Sequence, residues 1–241
     1  MERGTRTDET APDCERSGFS GSSRARLYEF LSYMFTQNPG SDFIQHLGSV
    51  EQIAKLERMD AALREHGGGE ELTNRLGILM SQIRSLRDAD QKGLTRLRED
   101  YVRLFRGISS NYGPPPPYES VYRSETMMSE HASEVRAIYR EAGLEIQGTE
   151  PPDHIGFELA FMGYLCGKEE KHREDGDLRM ARSLASLQDD FLYNHILKWV
   201  PQFCRNILRY ESPLYGAVAS LTISWLDIEE RHVDERKPGS P

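Results

Sequence analysis

Residues 22–40 read SSRARLYEFLSYMFTQNPG. Leu27, Phe30, Leu31, Met34 and Phe35 recur at intervals of three and four, which places them on one face of a helix. Ser22 or Ser23 can cap its start, and Asn38-Pro39-Gly40 stops it. The same period returns along the chain. A second helical stretch spans 41–65 with a break near Gly48, and Gly67-Gly68-Gly69 interrupts the chain. Leu72, Leu76, Leu79, Ile83 and Leu86 mark a helix over 70–87. Leu94, Leu97, Tyr101, Leu104 and Phe105 mark another over 90–106, capped by Asp90 and closed at Gly107.

Further on, helix resumes over 125–142 and ends at Gly143. Asp153 opens the next one, running to Arg173 with Ile155, Leu159, Met162 and Leu165 inward. Residues 177–197 follow; Trp199, Phe203, Ile207 and Leu208 continue the pattern after a kink or break at Pro201. The last helix spans 213–232. No stretch alternates as a strand does, and no solenoid repeat is present. The sequence therefore predicts an all-α fold: one globular bundle of about nine or ten helices in two loosely defined halves. The folded domain is expected over 23–234, with a hinge near 144–153. Residues 1–22 and 235–241 read as polar tails.

The chain has 241 residues, 37% of them hydrophobic, and a formal net charge of −9. That supplies a core, and its sign repels phosphate backbones, so nucleic acid is not an expected partner. A basic partner suits it better, although mild acidity also simply keeps a protein soluble. Three cysteines without a CxxC pair give neither a disulfide framework nor a zinc site. No apolar run reaches the roughly 20 residues of a membrane span. The start, MERGTRTDETAPDCERSGFSGSS, has no apolar signal core and no paired arginines, so a cytoplasmic location is expected.

Catalytic and metal motifs are missing. The seven histidines form no HxxH or HExxH. His154 and Glu158 are four apart on one helix, a spacing that more often makes a plain side-chain contact. GYLCGK over Gly163–Lys168 has the wrong spacing for a phosphate loop. No cofactor and no metal are expected, and no residue is assigned a catalytic role.

Two segments stand apart. YGPPPPYESVY (Tyr112–Tyr122) carries four consecutive prolines, which favour an extended path. It reads either as a rigid aromatic edge for an apolar peptide or as a crossover loop packing its tyrosines on the core. EPPDHIGFELAFM (Glu150–Met162) reads either as a well-built helix start or as a groove lined by Pro151, Asp153 and His154.

Together these segments resemble the TorD-like family of redox-enzyme maturation chaperones, which includes DmsD-like and NarJ-like members. The likeness rests on Leu104-Phe105-Arg106-Gly107, PPYESVY and EPPDHIGFELAFM. It also takes in His195, Trp199, Pro201 and Phe203, an HxxxWxPxF pattern, and it covers about residues 24–230. It implies an all-helical chaperone, not an enzyme, that acts in the cytoplasm on an apo molybdopterin oxidoreductase subunit and its twin-arginine signal peptide. The role implied is to assist cofactor insertion and delay export. The ESVYR version looks most like chaperones of type II dimethyl-sulfoxide-reductase-like enzymes. The alternative is a helical adaptor that binds the mature enzyme without reading its leader. Monomer and homodimer both remain open.

Carried over by position, Pro151, Asp153 and His154 match the family's signal-peptide motif. Leu104, Phe105 and Tyr118 match a second patch. Pro152 stands where many members have a polar residue. The expected groove has an apolar floor of Leu104, Phe105, Tyr118 and Phe157, and a rim of Glu119, Glu150 and Asp153 for the arginines.

Overall fold

The computed structural model describes residues 20–65, 69–87, 89–107 and 112–236, with no side-chain description at 235 and 236. Residues 1–19 and 237–241 of the expected tails, the Gly67-Gly68 break and residues 108–111 lie outside it. The described residues form ten continuous helical rods, as the periodicity predicts. In order these are α1 (Gly21–Thr36), α2 (Ser41–Leu47), α3 (Val50–Glu65), α4 (Gly69–Leu86), α5 (Gln91–Phe105), α6 (Glu119–Ser124), α7 (Glu130–Glu141) and α8 (Ile155–Glu174). α9 (Leu178–Phe191) then runs through a π-helical turn (Leu192–Ile196) into α10 (Leu197–Ile207), and α11 (Pro213–Arg236) closes the chain.

The apolar stripes explain the packing. α1 lies along α8, α8 along α9, α11 against α4 and α10, and α6 against α10. α1 and α8 approach closely because Gly156 stands at the crossing. A Cβ there would sit 2.1 Å from Cγ2 of Thr36, and the Ser32 hydroxyl donates to the Gly156 carbonyl at 2.7 Å. Phe35, Phe105, Phe203 and Tyr215 fill the centre, with Phe105 and Tyr215 edge to face at 4.9 Å. Aromatic side chains bury more area each than other residues, so this cluster carries much of the burial.

A buried polar network ties four helices. Arg24 on α1 makes a two-pronged contact with Glu229 on α11, at 2.9 and 2.6 Å. Its third nitrogen donates to Gln188 on α9 at 2.9 Å, and Gln188 donates to Glu169 on α8 at 2.7 Å. Such a pair gains little over an apolar core when intact but is costly to break.

The structure departs from the sequence reading at several ends. Ser20, not Ser22 or Ser23, caps α1, accepting from the Ser23 N–H at 3.2 Å. Helix α6 lies inside the stretch read as a loop, and α7 begins only at Glu130, because Glu125 and Met128 take left-handed backbone angles (φ 55° and 59°) between them. Helix is continuous over α9 and α10, so no break occurs at Pro201. The slack needed near Pro201 is taken up by the wider π turn just before it, where a helix tolerates an extra residue. α11 continues through residues 235 and 236, which were expected in the tail.

Arg24→Ala is expected to cost about 3–5 kcal/mol in denaturant unfolding, because it strands a buried Glu229. Arg24→Met combined with Glu229→Leu should cost less, since both members of the pair leave together and Glu169 keeps Arg173 and Gln188.

Candidate functional site

The two segments singled out in the sequence meet. The extended chain over Pro117–Glu119 runs antiparallel to Asp153–Ile155, giving an isolated bridge between Tyr118 and His154. Glu119 N–H donates to the Asp153 carbonyl and Ile155 N–H to the Pro117 carbonyl, both at 3.0 Å. The prolines make this possible. They hold the incoming strand extended, and Gly113 fits where any Cβ would run into the Arg103 carbonyl oxygen at 1.8 Å.

Asp153 was expected to cap the helix that follows it. Instead His154 caps α8, its Nδ1 accepting from the Gly156 N–H at 3.1 Å. The Asp153 carboxylate reaches across the clasp and accepts from the Ser120 N–H at 2.8 Å, in the first turn of α6. α6 has no side-chain cap of its own. Its first amides are therefore satisfied from another segment, which is why a six-residue helix can start directly after four prolines.

Above the clasp lies an aromatic step. The His154 ring is 5.3 Å from Tyr118 and 5.8 Å from Phe157, both edge to face. Phe157, Pro151 and Glu150 are half-buried. The Tyr118 hydroxyl donates to the Glu150 carboxylate. Burial, that hydrogen bond and the Glu150 charge push the Tyr118 phenol well up, so it remains a donor. Burial pushes His154 down to about 4; Arg106 at the end of α5 adds to this, and Glu150 opposes it. A neutral ring is what the cap needs, since Nδ1 must offer a lone pair.

Beneath the step lies a buried layer of acidic side chains. Glu119, Asp153 and Glu158 have no exposed surface. Arg123 binds Glu119, and His195 Nδ1 lies 2.9 Å from one of its oxygens. The Trp199 indole donates to Glu158 at 2.9 Å, and the Tyr139 hydroxyl donates to the Pro152 carbonyl at 3.2 Å.

The expected groove is thus brought together only in part. Pro151, Asp153, His154, Tyr118, Glu119 and Phe157 do converge. Leu104 and Phe105 do not floor an open cleft: Leu104 is 0% exposed, and Phe105 belongs to the central aromatic cluster. Of the three expected rim acids, Asp153 and Glu119 are sealed inside because the clasp needs their hydrogen bonds; Glu150 alone is half-exposed. The sequence reading gave no role to Arg106, Arg123 or Tyr139, and took Glu158 only as a side-chain contact of His154. The signal for two others was present, since His195 and Trp199 sit four apart and so share a helix face. His154 and Glu158 share no ligand: Glu158 points to Trp199, and no group of three metal-ligating side chains occurs among the described residues.

The model for the nitrate reductase delta subunit family matches residues 51–205. The chain belongs to that family, the family of the TorD chaperones. It is similar to the chaperone protein TorD of Vibrio cholerae, 24% identical over 216 residues, covering 88% of this chain and 92% of the relative. TorD of Vibrio parahaemolyticus is 25% identical over 220 residues, covering 87% and 94%. Among solved structures, a candidate redox enzyme maturation protein from Archaeoglobus fulgidus covers 90% of this chain and 99% of its own, at 21% identity and a TM-score of 0.46. These family members are named as chaperones, not as catalysts.

The TorD-family clasp makes a pH prediction. His154 has its value depressed by folding, so its contribution is full above its ordinary 6.5 and is lost as pH falls toward about 4. His154→Asn keeps an N-cap acceptor and removes the titration. Urea unfolding from pH 6.5 down to about 4 should therefore fall less steeply for this variant than for the wild type.

Proposed function

We propose that this TorD-family chaperone binds the leader peptide of an apo molybdopterin oxidoreductase subunit at the step formed by Tyr118, His154, Phe157 and Pro151. The observation that carries this reading is the meeting of those aromatic rings beside a half-exposed carboxylate, Glu150. A leader with arginines followed by an apolar stretch matches both halves: rings and proline for the apolar part, Glu150 for a guanidinium. The net charge of −9 assists encounter with a basic segment. Binding before the client is complete would delay its export and leave time for cofactor insertion, which places the work in the cytoplasm. Family membership supports the chaperone role, and among the described residues no helix is long and apolar enough to cross a membrane. The buried members of the site, Asp153 and Glu119, act here by holding the step in shape.

A second reading is an adaptor that grips the mature enzyme and ignores its leader. It draws on an apolar hollow of about 270 Å³ beside the exposed Ile78 and Leu208, which shares no lining residue with the step. Recovery of the client by pull-down, equal with and without its leader, would favour it.

Calorimetric titration with a client leader peptide should give a Kd of about 1 μM, typical of a transient groove contact. Phe157→Ala should weaken it roughly tenfold by removing an aromatic anchor, and affinity should drop as salt is raised. An unchanged affinity in Phe157→Ala would remove the step from the binding surface.

A further inference from the structure

The buried layer under the step holds more carboxyl groups than it has cations to match. Glu119 is well supplied: Arg123 binds it, His195 Nδ1 lies 2.9 and 3.2 Å from its two oxygens, and Arg123 is itself anchored on the Asn194 carbonyl at 3.0 Å. Asp153 has the Ser120 amide on Oδ2, and its Oδ1 meets no donor. Glu158 has a single donor, the Trp199 indole on Oε2, while its Oε1 meets none. A buried carboxylate left in that state is expensive.

The neighbours offer a resolution. Glu119 stands against Glu158: α6 packs on α10, whose Trp199 donates to Glu158, and Glu119 acts on Glu158 through its charge and a side-chain hydrogen bond. Two carboxyl groups can hydrogen-bond only when one of them carries a proton. Glu119 has cationic partners, Arg123 and His195, whereas Glu158 has only the neutral Trp199 indole. With a proton in place, Glu158 becomes a donor to Glu119 on α6 while still accepting from Trp199 on α10.

We propose that Glu158 is a neutral carboxylic acid whose proton is shared with the Glu119 carboxylate, and that this bond locks α6 onto α8 and positions Tyr118 and His154. The positioning role rests on the reading that the step is where the peptide docks. Glu158 and Glu119 are positioning residues, since neither reaches the surface.

The surroundings agree from every side. Facing Glu158 are Glu119 on α6, Asp153 in the clasp, Tyr139 on α7 and the Trp199 indole, with His195 and Arg123 behind Glu119. Burial pushes the Glu158 carboxyl well above the usual carboxylate range. The charges of Glu119 and Asp153 act in the same direction, and the Trp199 N–H opposes them. The Tyr139 phenol is likewise pushed up, chiefly by burial, so it stays neutral. A carboxyl raised by folding contributes stability at low pH and loses it as pH rises through the folded value. His154 acts oppositely and below its ordinary value of 6.5, so the window above that belongs to the lock.

The test compares full-length wild type with Glu158→Gln, whose amide keeps a neutral donor and an acceptor at the same place. Thermal stability and leader-peptide affinity are followed between about pH 6.5 and 9. The wild type should lose stability as pH rises, with peptide affinity falling several-fold in the same window. E158Q should be flat in both. Difference infrared spectra at neutral pH should show the carbonyl stretch of a protonated carboxylic acid in the wild type, lost in E158Q.

Equal pH slopes in the two proteins overturn the lock. So does the absence of a protonated-carboxyl band from the wild type, a measurement that needs no variant to fold. A flattened stability profile, with no peptide binding by either protein at any pH, supports the lock and overturns the docking reading instead.

Discussion

The Asp153 carboxylate, placed on the Ser120 amide of a helix that does not belong to its own segment, holds the site together. Helix α6 is six residues long, too short to persist by its own hydrogen bonds. It follows a run of prolines, and its N-cap position is Tyr118, whose side chain offers no cap. Without Asp153 it would begin with unsatisfied buried amides. With it, α6 turns Glu119 and Arg123 toward His195 and gives Tyr118 a fixed place over His154.

The same constraint explains why acids expected at a rim are found inside. A carboxylate can be stripped of water only if hydrogen bonds replace it. Asp153 obtains an amide, and Glu119 obtains a guanidinium and an imidazole. The outer layer keeps the half-buried Phe157, Pro151 and Glu150, with the buried rings of Tyr118 and His154 against them. The site is thus layered, with apolar rings outside and ionisable groups beneath. In this arrangement the buried charge can shape the surface without touching a ligand.

The π turn joins this layer to the rest of the bundle. It widens the rod between α9 and α10 at residues 192–196 and carries His195 to Glu119, while Trp199 falls four residues later against Glu158. A straight α-helix through Pro201 would have needed a break, and a break would have separated these two contacts. The far end of α8 is held differently, by the Arg24 network, which shares no member with the site.

Much of the fold was legible from the residues alone. Leu27, Phe30, Leu31, Met34 and Phe35 on one stripe, and the matching stripes after them, determine helices because the 3.6-residue period is a local property of the chain. The capping role of Asp90 was equally local, and it holds, with its carboxylate accepting from the Gly93 N–H. The pairing of YGPPPPYESVY with EPPDHIGFELAFM was suggested by resemblance, not by period. The exchange of capping roles between Asp153 and His154, the burial of Leu104 and Glu119, and the meeting of Glu119 with Glu158 were decided by tertiary structure. They depend on which segments come together across about 30 or more residues. Which amide a carboxylate caps, and whether water reaches it, is set by that neighbour and not by its own stretch of sequence.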